Sequence, residues 1–294
     1  MQNILTFDVE DWYDLSGRLV RGAGVPRPER LAAQLEHVLE LLGRHRCRAT
    51  FFCLGSSLAN TPELVRQIAA AGHEIGTHGW GHELVSRIGL PRFRDDLLRS
   101  MCWLQDTLGR RVAGYRAPAF SVPPEHMDKF YDICLDVGLA YDSSVFPIRG
   151  SRYGVPDAPR EPHVARTAGG RRLFELPLST VIWAGRAWPV AGGGYWRVLP
   201  SRCICAAIRR VNADGRPMVT YLHPYELDPQ PLSASQAAGR SWRSFKHGLK
   251  QNLGRRSIYA KLDHVLASFR FGAAEDYLRE YGTDPTREQG PHVH

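Results

Sequence analysis

The sequence predicts an α/β protein: a barrel of seven or eight parallel strands with helices outside it, followed by a basic helical extension. Three observations carry this expectation. Short apolar runs alternate with helix-period stretches from Asn3 to Asp142, the pattern of parallel strands joined by right-handed crossovers. Chemistry-bearing residues follow the ends of those runs, at Asp8 to Asp11, His78 with His82, Arg116 and His223, where α/β folds gather their sites. At 294 residues with 43% hydrophobic content, the chain can bury one large core.

The elements follow in order. Asn3 to Asp8 is a short apolar strand ending in an acidic burst, Asp8-Val9-Glu10-Asp11. Glu29 to Arg46 carries Leu31, Leu35, Val38 and Leu42 at helical spacing, with Leu39 widening the stripe. Ala49 to Leu54 is a second buried strand. A helix opens at Thr61-Pro62 and closes at Gly72. His73 to Gly76 is a third strand, delivering the histidine pair to the same edge as the acids. Pro91 to Leu108 is helical, Val112 to Arg116 a strand, Pro124 to Val137 a helix, and Leu139 to Asp142 a short strand.

Arg149 to Arg172, rich in proline, glycine and arginine, reads as a loop excursion. Leu173 to Leu176, Thr180 to Trp183 and Met218 to Leu222 read as further strands, the last ending at His223-Pro224. Gly192-Gly193-Gly194 precedes Tyr195-Trp196-Arg197; no Lys-Ser/Thr follows, so a P-loop is excluded. A mobile rim loop whose aromatics stack on sugars and a plain flexible loop both fit. The barrel is assigned to residues 1–230. Residues 231–294 form an extension packed on it, not an independent domain, through Ile258, Leu262, Val265, Leu266 and Phe269.

Charge and composition narrow the class. No apolar run is long enough to span a bilayer, and the start lacks the features of a signal peptide, so a cytoplasmic protein is expected. Six scattered cysteines without a C-x-x-C pair read as buried reduced thiols. A net charge of +8 favours an acidic partner, an anionic glycan or a membrane surface; no nucleic-acid-binding signature is present. From Arg240 to Arg270 there are eight Lys or Arg against one acid, Asp263, a face that fits peripheral contact with an anionic membrane or a lipid-linked glycan, or plain solvation.

His78 and His82 stand four positions apart with Gly79 and Gly81 between them. Glycine inside a helix costs about 1 kcal/mol, so a loop leaving a strand is the better placement. Two imidazoles from one short loop make half of a divalent metal site; taken alone, the pair reads equally as two polar loop histidines. The acids of the first strand end would repel one another unless a cation or an arginine holds them, though a solvated acidic turn is the plain alternative.

Together, Thr6-Phe7-Asp8, His78 to His82, Arg116-Ala117-Pro118 and Leu222-His223 resemble, in order, the motifs of the NodB-homology polysaccharide deacetylases, carbohydrate esterase family four. Phe-Asp-Val-Glu-Asp-Trp, Arg-Ala-Pro-x-Phe-Ser, Gly-Gly-Gly-Tyr-x-Arg, Tyr-Leu-His-Pro-Tyr-Glu and Phe-Arg-Phe-Gly further resemble the subgroup found in exopolysaccharide loci with exosortase systems. The resemblance runs from about Ile4 to Gly272 and implies a distorted barrel. The chain departs from the family in three places. The aspartate pair of the first motif is Asp8-Val9-Glu10-Asp11, Ala119 replaces a tyrosine, and Tyr221 replaces the leucine of the last motif.

The resemblance implies hydrolysis of N-acetyl groups on an amino-sugar polysaccharide or its lipid-linked precursor, the glycan itself being acidic in one reading. It implies a divalent metal, zinc above all, held by His78, His82 and one acid. Glu10 and Asp11 both remain open for that acid; strand alternation, which puts Asp8 and Glu10 on one face, favours Glu10. Asp8 would be the base and Arg116 its partner, the Ala119 N–H an oxyanion donor, and His223 the acid, oriented by Asp142. Trp80, Phe120, Tyr195 and Trp196 are candidate glycan walls, or core packing.

Rival readings are an O-acetyl esterase, a cyclic-amide hydrolase on the same barrel, and a metal-free carbohydrate-binding protein. A glycosidase is disfavoured, because neighbouring carboxylates at one strand end cannot flank a bond at the separation of roughly 5 to 9 Å that it needs.

Overall fold

The computed structural model describes residues 1–22, 24–150 and 154–280. The main sheet contains β1 (Asn3–Val9), β2 (Thr50–Cys53), β3 (Glu74–Thr77), β4 (Gly114–Tyr115), β5 (Tyr141–Asp142), β6 (His163–Arg166), β7 (Arg172–Glu175), β10 (Val219–Leu222) and β11 (Phe271–Gly272). Its order is β10-β1-β2-β3-β4-β5-β7-β6, with β11 added beside the start of β1. All pairs are parallel except β6 with β7. The expected parallel barrel is thus present in curled form. β6 lies inside the stretch read as a loop excursion, of which residues 151–153 fall outside the described residues.

No regular ladder joins β7 to β10, and irregular backbone covers the gap. Leu178 N–H donates to Val145 O at 2.9 Å and Ser179 N–H to Val219 O at 3.2 Å. The glycine run does similar work: Tyr221 N–H donates to Ala191 O, and Gly193 N–H to Tyr221 O, both at 2.9 Å. A Cβ on Gly192 would overlap the Tyr221 carbonyl oxygen. These glycines therefore let the backbone pair with β10 at the barrel seam, which is neither the sugar-stacking rim loop nor the plain flexible loop that the sequence left open. Thr180 to Trp183, expected in the barrel, is instead β8 of a separate hairpin with β9 (Arg186–Pro189). Its two-residue turn, Ala184-Gly185, has positive φ at both positions, as the right-handed twist of a hairpin requires.

Alternation along β1 sorts the core. Leu5, Phe7 and Val9 point outward and pack with Leu31, Leu35, Val38 and Leu42 of the helix Pro28–Arg44. Ile4 points inward with Phe52, Tyr141 and Val219, and the helix Ala274–Glu280 plugs this end with Tyr277 and Leu278. Thr6 and Asp8 share the inward parity. The helix expected from Pro91 begins earlier, at Val85, and is kinked at Gly89, where φ is 73°.

Ile258, Leu262 and Val265 are fully buried, as the extension's apolar stripe predicts, and Phe269 is partly buried against the same core. The extension also contributes β11 to the main sheet; its residues 281–294 lie outside the described residues. The six cysteines are unpaired; Cys102 and Cys203 are exposed, contrary to the expectation that all six are buried. Among the described residues no helix is long and apolar enough to cross a membrane.

Candidate metal and catalytic site

Parallel register brings the C-terminal ends of β1, β3, β4 and β10 to one edge. A cleft of 590 Å³ opens there, lined among others by Asp8, Glu10, His78, His82, Ala119 and His223. Glu10, His78 and His82 offer one ligand atom each within 4.8 Å of one another. Glu10 Oε2 stands 3.1 Å from His82 Nε2 and 3.8 Å from His78 Nε2. It is buried with no hydrogen-bond donor aimed at it. Three converging acceptor-type atoms, one of them an orphaned buried carboxylate oxygen, make an N/N/O donor set that would suit a divalent cation.

The protonation states suit this. His78 Nδ1 lies 2.8 Å from the Arg116 carbonyl, so it carries the proton and leaves Nε2 free to bind. Burial pushes the His78 imidazole down to about 4, keeping it neutral. Burial opposes the charge on Glu10, but His82, His223 and His78 outweigh it and hold the carboxyl at about 2.

The loop carrying the two histidines is built by Asp96, which accepts from Trp80 N at 2.7 Å and Gly81 N at 2.9 Å. Gly55 lets the Trp80 ring lie flat on the backbone; a Cβ there would be 2.5 Å from the ring. Arg99 covers Trp80 at 3.8 Å and Trp103 meets it edge-on. His82 itself has φ of 56°, a left-handed conformation that costs roughly 1–3 kcal/mol and is typical of functional positions.

Arg116, fully buried, ties the second cluster. Its Nη1 donates to Asp8 Oδ1 at 2.9 Å and Thr6 Oγ1 at 2.5 Å; Nη2 and Nε donate to Ser143 Oγ at 2.8 Å and Ser143 O at 3.1 Å. Asp8 is therefore oriented by a guanidinium stacked 4.4 Å from the Phe52 ring. Beyond Arg116 the turn Pro118–Phe120 places Ala119 at φ 51° and Phe120 at φ 53°, with Ala119 exposed at the cleft.

His223 follows β10. Its Nδ1 lies 3.1 Å from Glu226 Oε2, and its Nε2 is 3.6 Å from Glu10 Oε1. Burial works against its charge, yet Glu226 and Glu10 lift the ring to about 9. Glu226, buried, also accepts from the His223 backbone N–H at 3.1 Å.

Three expectations are corrected. Asp142 does not orient His223: its carboxylate accepts from Ser144 N at 2.9 Å and Ser144 Oγ at 2.6 Å and lies in register beside Glu175, whose carboxyl burial and Asp142 push well up. It supports the Arg116 turn instead, because Ser144 Oγ accepts from Ala117 N at 2.8 Å. Asp11 is spent as the N-cap of the helix Trp12–Arg21, accepting from Tyr13, Asp14 and Arg27 N–H groups. Of the expected walls, Phe120 and Tyr195 line the cleft. Trp196 is fully buried with Nε1 donating to Val190 O at 2.8 Å, and Trp80, half-buried, packs on Gly55, Arg99 and Trp103 and not into the cleft.

Sequence reasoning missed Asp96, Glu226 and Ser143. Glu226 sits three residues beyond His223 with Pro224 between, an N-cap spacing that marks a reach-back to the backbone. Asp96 and Ser143 had no local signal, since their partners lie 15 to 27 residues away.

Residues 5–131 match the family model described as polysaccharide deacetylase, and residues 143–279 match a domain of unknown function, DUF3473. A chitooligosaccharide deacetylase of Bradyrhizobium sp. (strain ANU 289) is 36% identical over 108 residues, 30% of this chain and 49% of that protein. A peptidoglycan deacetylase of Helicobacter pylori is 31% identical over 133 residues, 45% of this chain and 41% of that protein. The chain thus spans less than half the length of these relatives.

A solved Mycobacterium smegmatis protein assigned as a polysaccharide deacetylase superposes with a TM-score of 0.60 at 22% identity, covering 99% of this chain and 92% of that one. An allantoinase structure does so with a TM-score of 0.60 at 15% identity, covering 96% and 90%. These two similarities show the fold. Residues 5–131 are thus a polysaccharide deacetylase domain of the NodB-homology group of carbohydrate esterases.

Proposed function

We propose that the protein is a metal-dependent deacetylase that hydrolyses N-acetyl groups on amino sugars of a polysaccharide or its lipid-linked precursor, in exopolysaccharide biosynthesis. The observation that carries this reading is one cleft holding Glu10, His78 and His82 between an Arg-held Asp8 and a Glu-held His223. The relatives' names supply the substrate class.

Glu10, His78 and His82 would hold a divalent cation, zinc by its preference for this donor set. When bound, it supplies Lewis acidity toward water and the acetyl carbonyl. Asp8 takes the proton from the attacking water, its carboxylate kept in place by Arg116. The Ala119 N–H donates to the developing oxyanion, a main-chain role that survives replacement of a tyrosine side chain. His223, held as an imidazolium by Glu226, gives its proton to the departing amine. An amide demands that acid, whereas an ester's alkoxide leaves with less help; the buried imidazolium favours N- over O-deacetylation. Phe120 and Tyr195 flank the sugar.

The test is a panel of N-acetylated oligosaccharides with and without chelator, scoring acetate and free amine together. Equal release of both, abolished by chelator and by Asp8→Asn, is expected. Acetate without amine would transfer the reading to an esterase, and turnover unaffected by chelator would end the metal assignment.

A further inference from the structure

The helix Trp242–Asn252 buries Ser244 and Gly248, with Gly248 set against Ala234. Its outer face carries Trp242, Phe245 and Leu249, and Leu253 follows as the C-cap. Spaced i, i+3, i+7 and i+11, they form one stripe along the axis, and they are 68, 59, 62 and 62% exposed. The Trp242 and Phe245 rings stack at 5.4 Å, and Leu249 continues their wall over an apolar hollow of 810 Å³ reaching Leu232 and Ala234. Four large apolar side chains turned to solvent on one short helix mark an interaction face.

The charges in the stretch that carries this stripe have one sign. Arg240, Arg243, Lys246, Lys250 and Arg256 are exposed around it, and no Asp or Glu occurs between residues 229 and 262. Lys246 Nζ lies 5.1 Å from the Trp242 ring. The face also runs into the cleft described above, since Lys250, Gln251 and Leu253 are among its lining residues.

We propose that this face docks the protein on an anionic lipid bilayer, with Trp242, Phe245, Leu249 and Leu253 entering the headgroup boundary and the flanking cations meeting lipid phosphates. An amphipathic helix with an aromatic and aliphatic face edged by Lys and Arg binds bilayers in this way. The charge decides against a second copy of the chain: a two-fold pairing of this face would set its cations against each other. Docking would hold the cleft mouth at the membrane, beside glycans carried on lipid. The surface stands on its own residues and does not depend on the reaction assigned to the cleft.

The test is sedimentation of the full chain with phosphatidylcholine vesicles and with phosphatidylcholine–phosphatidylglycerol vesicles. Binding to the anionic vesicles alone, weakening as salt rises, is expected. Trp242→Ser with Phe245→Ser should lower the partition coefficient at least about tenfold. Arg243→Gln with Lys246→Gln should lower it about thirtyfold at low salt. All four positions lie outside the cleft lining, so hydrolysis of soluble oligosaccharides should be unchanged. Absent binding, equal binding to both vesicle types, or binding indifferent to both double variants would overturn the proposal. So would a dimer in solution that the Trp242 and Phe245 changes convert to monomer. Loss of hydrolysis with vesicle binding intact would count against the proposed reaction alone.

Discussion

Glu226→Gln is the most informative change at the cleft, because it keeps shape and removes one buried charge. The carboxylate lies 3.1 Å from His223 Nδ1. Unscreened by water, a pair this close interacts by about 5 kcal/mol at an effective dielectric constant of 20; opposite charges at such range shift a pKa by about 1–3 units in practice. Burial lowers the His223 pKa, yet the ring reaches about 9 because Glu226 and then Glu10 raise it. A cation on Glu10 would neutralise that second carboxylate and leave Glu226 as the anion that keeps the imidazolium.

His223 is the acid in the proposed reaction, so turnover is lost as pH rises through its pKa. Glu226→Gln should move the alkaline limb of the kcat–pH profile down by at least about one unit. At pH values near the wild-type limb that is about a fivefold to tenfold loss, with a much smaller change on the acidic side. The same pair contributes folding stability that is fully present below the unfolded histidine value and disappears as pH rises through the folded one. The variant should therefore be destabilised at neutral pH and not above the limb. An unmoved alkaline limb would refute the assignment of His223 as the acid and Glu226 as its orienter.

Three further outcomes follow from the supporting structure. Arg116→Met should cost about 3–5 kcal/mol in chemical denaturation, since it strands the buried Asp8 carboxylate. Asp96→Ala should release the histidine loop by removing the acceptor of Trp80 and Gly81 N–H groups, weakening zinc affinity about tenfold to a hundredfold in a competition titration. Glu74, where the helix Ala274–Glu280 meets the sheet, is pushed up to about 7 by burial and then by Glu275. Its raised value means stability is lost as pH climbs from about 4.5, the ordinary carboxyl value, to about 7, and is level above that. Glu74→Gln should hence stabilise the fold at pH 8 by up to about 3 kcal/mol and leave it nearly unchanged below about pH 4, by paired denaturation curves.

The sequence made the site legible where chemistry sits at a strand end. Glu10, just beyond β1, keeps the inward parity of Asp8, so alternation favours it over Asp11 while leaving both open. Asp11 could have been recognised as an N-cap from the helix signal that follows it. Trp196 misled because an aromatic beside a glycine run resembles a sugar platform; those glycines instead let backbone pair with Tyr221, which turns the indole inward. β8 misled because its apolar run, Thr-Val-Ile-Trp, has barrel-strand composition, yet Trp183 faces solvent in a detached hairpin. Glu175, which displaced Asp142 from its expected role, comes from β7 and reaches it only through sheet register.

Zinc titration of the metal-stripped full chain, wild type beside Glu10→Gln and Asp11→Asn, measures the central claim directly. One ion per chain in the wild type, retained by Asp11→Asn and lost by Glu10→Gln, is the predicted result. No ion in the wild type, or loss in Asp11→Asn with retention in Glu10→Gln, would contradict it.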